Sequence, residues 1–158
     1  DLQSNHDYIY SDDNNSILYI AGTSYIKKLD LNSGEDTLNN THDYVEKIKD
    51  ILDEIYEINK LENTTLISFN LTNLKRVRRI NKTIPLQYLT STYTEDLPKL
   101  CKKEKIDIDI LYNQLTPESF KAFRDLGIKI NAWTVNNPIE ALVLVSWEID
   151  YITTNILE

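Results

Sequence analysis

Methionine does not occur in these 158 residues, cysteine occurs once, histidine twice and glycine three times. Each scarcity excludes something. A single cysteine, Cys101, makes no disulfide within the chain, so a disulfide-stapled scaffold is excluded and the redox compartment is left open. That thiol falls in a helical pattern and reads as buried. Three glycines leave no Gly-rich phosphate loop after any strand, which weakens a dinucleotide-binding reading. No apolar run reaches membrane length and no signal peptide opens the chain, so no transmembrane segment is expected, and the protein reads as soluble, cytoplasmic or exported. Basic residues are short too: 17 Lys and Arg against 25 Asp and Glu give a net charge of −8. That is the wrong sign for nucleic acid or an anionic membrane surface. A hard cation or a polar small molecule is the easier partner. With Asp1 first and no methionine, the natural N-terminus is expected to lie upstream.

What is present is a rhythm of short apolar strands and amphipathic helices. Strands are expected at Leu66–Phe69, Leu86–Leu89, Ile108–Tyr112, Ile130–Val135 and Tyr151–Thr153. Helices are expected between them. Asn70 caps one that carries Leu71, Leu74, Val77 and Ile80. Thr92 and Glu95 have capping-box spacing ahead of Leu97, Leu100 and Cys101. Thr116-Pro117 opens a third helix, with Phe120, Phe123 and Leu126 on its apolar side and Gly127 at its end. Asn137-Pro138 opens a fourth that runs to about Trp147. Upstream, Tyr44, Ile48, Ile51, Leu52 and Ile55 mark a longer helix. Strand starts recur about every 20 residues, the beat of a parallel α/β sheet or barrel. Nearly every strand reads as apolar on both faces, as when helices cover one side and a barrel interior fills the other. A (β/α) barrel forming one domain over residues 1–158 is the preferred architecture.

In such a barrel the strands' C-terminal ends face the active site. Within "KINAWTVNNPIEA", Trp133 and Asn136 stand at the end of a strand, where an aromatic wall and an amide meet a ligand. Trp133 packing under the following helix fits the pattern equally well. The basic run Lys75, Arg76, Arg78, Arg79 and Lys82 shares its helix with Leu74, Val77 and Ile80, and reads as a solvated outer face rather than a phosphate or RNA site.

Three segments, "LISFNLTNLKRVRRINKTIPLQYL", "LTPESFKAFRDLGIKINAWTVNNPIEA" and "EIDYITTN", come in an order and spacing that resembles the C-terminal two-thirds of the glycerophosphodiester phosphodiesterases. The Trp133-Thr134-Val135-Asn136 block, following Gly127 and leading into Pro138, Glu140 and Ala141, is the most specific part. The resemblance covers about Tyr44 to Asn155. It implies a TIM-type barrel that hydrolyses small-molecule glycerophosphodiesters to glycerol 3-phosphate and an alcohol, here without the first strand and helix. It also implies a divalent cation, Ca²⁺ or Mg²⁺, held by carboxylates, and two histidines that exchange protons. A cation places positive charge where the diester oxygens gain negative charge in the transition state. Oxygen ligands suit such hard ions, and a histidine titrating near neutrality serves as base and then acid.

Carried over residue by residue, the resemblance makes Asp1 and Asp30 the candidate metal ligands, His6 the candidate catalytic acid, and Trp133, Phe69 and Asn136 the candidate substrate contacts. The N-terminal third departs from the family. Where a His-Asp pair is expected, Ser11-Asp12-Asp13 stands; His6-Asp7 has the right letters but comes early, and a solvent-exposed turn histidine is the alternative. Where a Glu-x-Lys is expected, Asp30 and Asn32 stand, and Asn32 supplies no cationic contact to phosphate. Asn155 replaces the closing Asp. His42 reads as a surface residue and Asn32 to Thr41 as a loop. Two readings follow: an enzyme of this family, or a barrel that kept the fold and lost the catalytic pairs, serving in binding or structure. Fold likeness does not decide between them. The 158 residues alone are expected to be a poor catalyst.

Overall fold

The structure, a computed structural model, describes residues 17–22, 25–30, 49–50, 52–53 and 64–156. Asp1, His6, Ser11 to Asp13, Asn32, His42 and most of the helix expected from Tyr44 to Ile55 lie outside them; within that helix, residues 49, 50, 52 and 53 are helical and Leu52 is buried. The chain divides after Leu86 into two compact units.

In the first unit, β1 (Ile17–Gly22) and β2 (Tyr25–Asp30) form an antiparallel pair in the register Ile17 to Asp30 and Gly22 to Tyr25. β3 (Thr65–Ser68) joins the other side of β1, also antiparallel, with Ile20 opposite Leu66. This corrects the expectation of a parallel sheet throughout. Only Thr23 and Ser24 separate β1 from β2, and a two-residue link permits only an antiparallel return, since a parallel one needs a crossover of roughly a dozen residues. After β3, Ser68 Oγ accepts from Asn70 N–H, and Asn70 Oδ1 accepts from Asn73 N–H at 3.2 Å. Asn70 thereby caps α1 (Leu71–Ile80), which buries Leu74 and Val77. The basic run on this helix tends its end: Lys82 Nζ donates to the Arg79 carbonyl at 2.7 Å, and an Arg78 guanidinium N–H to that of Asn81. Cations beside the free carbonyls of a helix C-terminus are stabilising, so Arg78 and Lys82 support the end of α1.

The second unit holds the regular βα rhythm. Its strands are β4 (Leu86–Thr90, beginning at the boundary residue), β5 (Asp107–Leu111), β6 (Ile130–Trp133) and β7 (Tyr151–Ile152). All neighbours pair in parallel: Gln87 with Asp107, Asp109 with Asn131, Ile110 with Ala132, and Ala132 with Ile152. The helices are α2 (Leu97–Glu104), α3 (Pro117–Arg124) and α4 (Pro138–Ser146). Thr92 and Glu95 form no capping box. α2 starts from Asp96 with Pro98 in its first turn, while Thr92 closes a turn in which its N–H donates to Thr90 Oγ1. Thr116 does cap α3 reciprocally with Ser119, Pro117 follows it, and Gly127 takes the left-handed φ of +69° after the helix. That conformation is open to glycine without steric cost.

The core of this unit lies on one side of the sheet. Ile108, Ile110, Ile130 and Ala132 pack with Leu97, Cys101, Phe120, Phe123 and Leu144 from the helices. Tyr93 meets Phe123 edge-on at 5.9 Å, and Phe120 meets Trp147 at 5.5 Å. Burial, and then the charge of Asp107, pushes the Cys101 thiol up to about 12, which makes it an inert core group as its pattern suggested.

Candidate functional site

The residues that alternate with this core point to the other face of the sheet, because successive side chains on a strand take opposite sides. On β5 these are Asp107, Asp109 and Leu111; on β6 they are Asn131 and Trp133. Gln87 of β4 belongs to the same face, paired with Asp107. The expectation that strands are apolar on both faces therefore fails here. Gln87, Asp109 and Asn131 are all buried polar residues, on the face turned away from the helices.

Trp133 is the last residue of β6, at the C-terminal end of the parallel strands. It is partly exposed, and its indole N–H donates to the main-chain oxygen of Asp109 at 3.3 Å. The aromatic that packs under the helices is Trp147. Asn136 is exposed, and its Oδ1 accepts from Asn155 N–H at 2.9 Å and from Thr154 Oγ1 at 3.3 Å. The amide oxygen thus staples the segment after β6 to the segment after β7. Thr153 N–H donates to the Ala132 carbonyl and Val135 N–H to the Thr153 carbonyl, both at 2.8 Å. The Trp133-Thr134-Val135-Asn136 block is held by strand-like bonds on one side and the Asn136 staple on the other.

Beneath Trp133 a short polar chain runs across the sheet. Asn131 and Asp109 are register partners, and Asn131 Nδ2 donates to Thr153 Oγ1 at 3.1 Å. Asp109 is 4% exposed. Burial pushes its carboxyl up to about 7, with hydrogen bonding from Asn131 pulling the other way. Its Oδ1 is buried with no hydrogen-bond partner among the described residues. At the same end of the sheet, the charge of Glu140 in the first turn of α4 raises the pKa of the Tyr112 phenol, with some help from desolvation and a hydrogen bond to Glu140.

The remaining sequence candidates belong to the first unit's stretch of chain. Phe69 follows β3 in the first unit and is partly buried. Asp30 ends β2, opposite Ile17. Asp1 and His6 lie outside the described residues. Among the described residues, no three His, Cys, Asp or Glu side chains stand together as a cation cage requires, and no helix is long and apolar enough to cross a membrane. Asp109, Asn131 and Thr153 were not anticipated. The signal was there in "IDIDIL", where carboxylates alternate with isoleucines and mark a strand with one polar face.

The sequence profile of the Glycerophosphoryl diester phosphodiesterase family matches residues 21–158. No curated protein matches. Among solved structures, a protein from Silicibacter pomeroyi described as a glycerophosphoryl diester phosphodiesterase is 23% identical with a TM-score of 0.67, over 74% of this chain and 42% of its own. A glycerophosphodiester phosphodiesterase from Parabacteroides distasonis is 23% identical with a TM-score of 0.64, over 77% of this chain and 50% of its own. A phosphodiesterase from Oleispira antarctica, solved in complex with the product sn-glycerol-3-phosphate, is 19% identical with a TM-score of 0.52, over 56% of this chain and 36% of its own. The chain thus spans half or less of the length of these relatives. The likeness shows the fold: the α/β architecture of a TIM-type barrel, matched over part of its length.

Proposed function

We propose, from the premise that this chain belongs to the glycerophosphoryl diester phosphodiesterase family, that it serves the hydrolysis of glycerophosphodiesters to glycerol 3-phosphate and an alcohol. The observation that carries the reading is the family match over residues 21–158, within which Trp133 stands partly exposed at the C-terminal end of a parallel strand, on the face away from the helices. Strand C-terminal ends are where barrel enzymes of this type keep their chemistry. In this reading Trp133 is an aromatic wall for the ligand. The Asn136 staple fixes the segment that carries it, so the wall is set before the ligand arrives, and little ordering entropy is lost on binding.

A divalent cation, Ca²⁺ or Mg²⁺, belongs to the reading through the family. It would supply charge stabilisation for the diester oxygens. The described residues do not assemble a cage for it, so no step is assigned to it. Asp1 and Asp30 remain proposed ligands and His6 the proposed proton-transfer group. Phe69 and Asn136 remain proposed substrate contacts.

The second reading, a barrel of the same family that binds without catalysing, is favoured by one observation. Ser11-Asp12-Asp13 stands where the family resemblance places a His-Asp pair. A positioned general acid or base is worth roughly two to four orders of magnitude in rate. The two readings separate in one assay: glycerophosphocholine with Ca²⁺ or with Mg²⁺, following glycerol 3-phosphate release. Turnover that requires the cation and falls with His6→Ala supports the enzyme with His6 as its acid. Binding of glycerophosphocholine without turnover supports the second reading. Neither binding nor turnover overturns both.

A further inference from the structure

A carboxyl inside a barrel sheet is an expensive choice. That layer of a parallel barrel is ordinarily filled by branched apolar side chains, and a buried acceptor without a donor costs about 1–3 kcal/mol. Asp109 incurs that cost at Oδ1. Its neighbours do not relieve it. Asn131 hydrogen-bonds the carboxyl and Thr153 but leaves Oδ1 unpartnered, and Asp107, two residues earlier on the same face, accepts from Lys129 N–H at 3.0 Å. Local rules broken this way, with no donor at Oδ1, are expected where a site needs the group.

Position narrows what the group is for. Asp109 lies one alternation deeper into the sheet than Leu111 and Trp133, and the Trp133 indole is tied to its main-chain oxygen. The only partly exposed aromatic of β6 therefore lies against the strand that carries the orphaned oxygen. Oδ1 of Asp109 can accept from a donor. A metal ion needs several oxygen ligands around it, and among the described residues no cluster of carboxylates accompanies Asp109. The companions are an amide and a hydroxyl, Asn131 and Thr153. A carboxyl beside an amide and a hydroxyl is a set that recognises ligand hydroxyls, with acceptors and donors alternating over a short distance.

We infer that Asp109, with Asn131 and Thr153, forms a hydroxyl-binding subsite beneath Trp133 that takes the glycerol moiety of the ligand, Oδ1 of Asp109 accepting from a glycerol hydroxyl. This deepens the proposed function and rests on it. Trp133, held by its bond to the Asp109 main-chain oxygen, forms the fixed wall above the subsite. The phosphate stays above, away from a carboxyl that would repel it.

The test measures binding of two probes, sn-glycerol 3-phosphate and inorganic phosphate, to the whole 158-residue chain and to its Asp109→Asn variant. Asn keeps the shape, removes the buried acid and is expected to fold; circular dichroism checks that. A second variant, Thr153→Val, removes the hydroxyl and leaves Asp109 in place. The expected result at pH 8, where the carboxyl is ionised, is that wild type prefers sn-glycerol 3-phosphate over phosphate, and that Asp109→Asn loses about ten- to a hundredfold in affinity for it, the range for a hydrogen bond to a charged group, with phosphate unchanged. A smaller loss with the same selectivity is expected for Thr153→Val. Equal loss for both probes means Asp109 is structural and overturns the inference. No loss for sn-glycerol 3-phosphate overturns it as well. Either result leaves the family reading standing. Failure of the wild-type chain to bind either probe sinks both.

Discussion

Asp109 is a residue whose titration differs between the folded and unfolded chain within the range near neutrality. Its carboxyl titrates near 7 when folded and near the ordinary 3.8 when free. The folded state therefore holds a proton that the unfolded state has released across that window. Stability gained from this proton is fully present below about 4 and is lost as pH rises through 7, at about 1.4 kcal/mol per pH unit at most. Asp109→Asn carries the neutral shape at every pH. Urea denaturation of both proteins from pH 5 to 8 should show wild type losing stability relative to the variant as pH rises, with the difference levelling off above 7. Parallel curves would mean that Asp109 is ionised throughout. The same experiment on Cys101→Ser, a residue whose ionisation lies near 12, should show no change of slope below pH 8.

At the scale of elements, α4 makes the sharpest contrast. Leu144 is 4% exposed in the core, whereas Leu142, two positions earlier, is 68% exposed. Leu144→Ala is expected to cost about 2–5 kcal/mol, as large-to-small changes in packed cores do. Leu142→Ala should stay within about 0.5 kcal/mol, the usual bound for a surface change. Thermal melts of the pair decide it, and a large cost for Leu142 would mean that its face is covered in solution. The start of α3 offers a second comparison. Thr116 and Ser119 satisfy each other's backbone N–H groups, so Thr116→Ala should cost about 1 kcal/mol. The double change with Ser119→Ala should cost clearly less than the sum, because both lose the same reciprocal pair.

For the molecule as a whole, charge is the property that acts at a distance. A net charge of −8 sets up a field that repels an anionic diester on approach. Salt screens that field over about 10 Å at 0.1 M. The affinity for sn-glycerol 3-phosphate is therefore expected to rise between 20 and 200 mM KCl, measured by titration calorimetry. An affinity that falls with salt would show that a local cationic contact outweighs the overall field, and would point to a phosphate ligand outside the described residues.

The sequence by itself determined the βα rhythm of the second unit, the caps at Asn70, Thr116 and Asn137, the left-handed end at Gly127 and the resemblance that names the family. These are legible because each depends on residues within three or four positions of one another: a cap reads its own first turn, and a strand announces itself by its period. The tertiary structure alone decided which faces meet. Alternation in "IDIDIL" places Asp109 opposite to Ile108 and Ile110, but only the parallel register with β6 brings it to Asn131, and only the packing of α2 and α3 makes the isoleucine side the core. The two tryptophans divide their roles for the same reason. Trp147 fills the helix side and Trp133 the other, a choice made by sheet pairing between residues more than twenty positions apart. The antiparallel turn of β1 and β2 was within local reach, since two residues between strands forbid a parallel crossover. The orphaned oxygen of Asp109 was not, because whether a donor reaches it depends on every element packed around it.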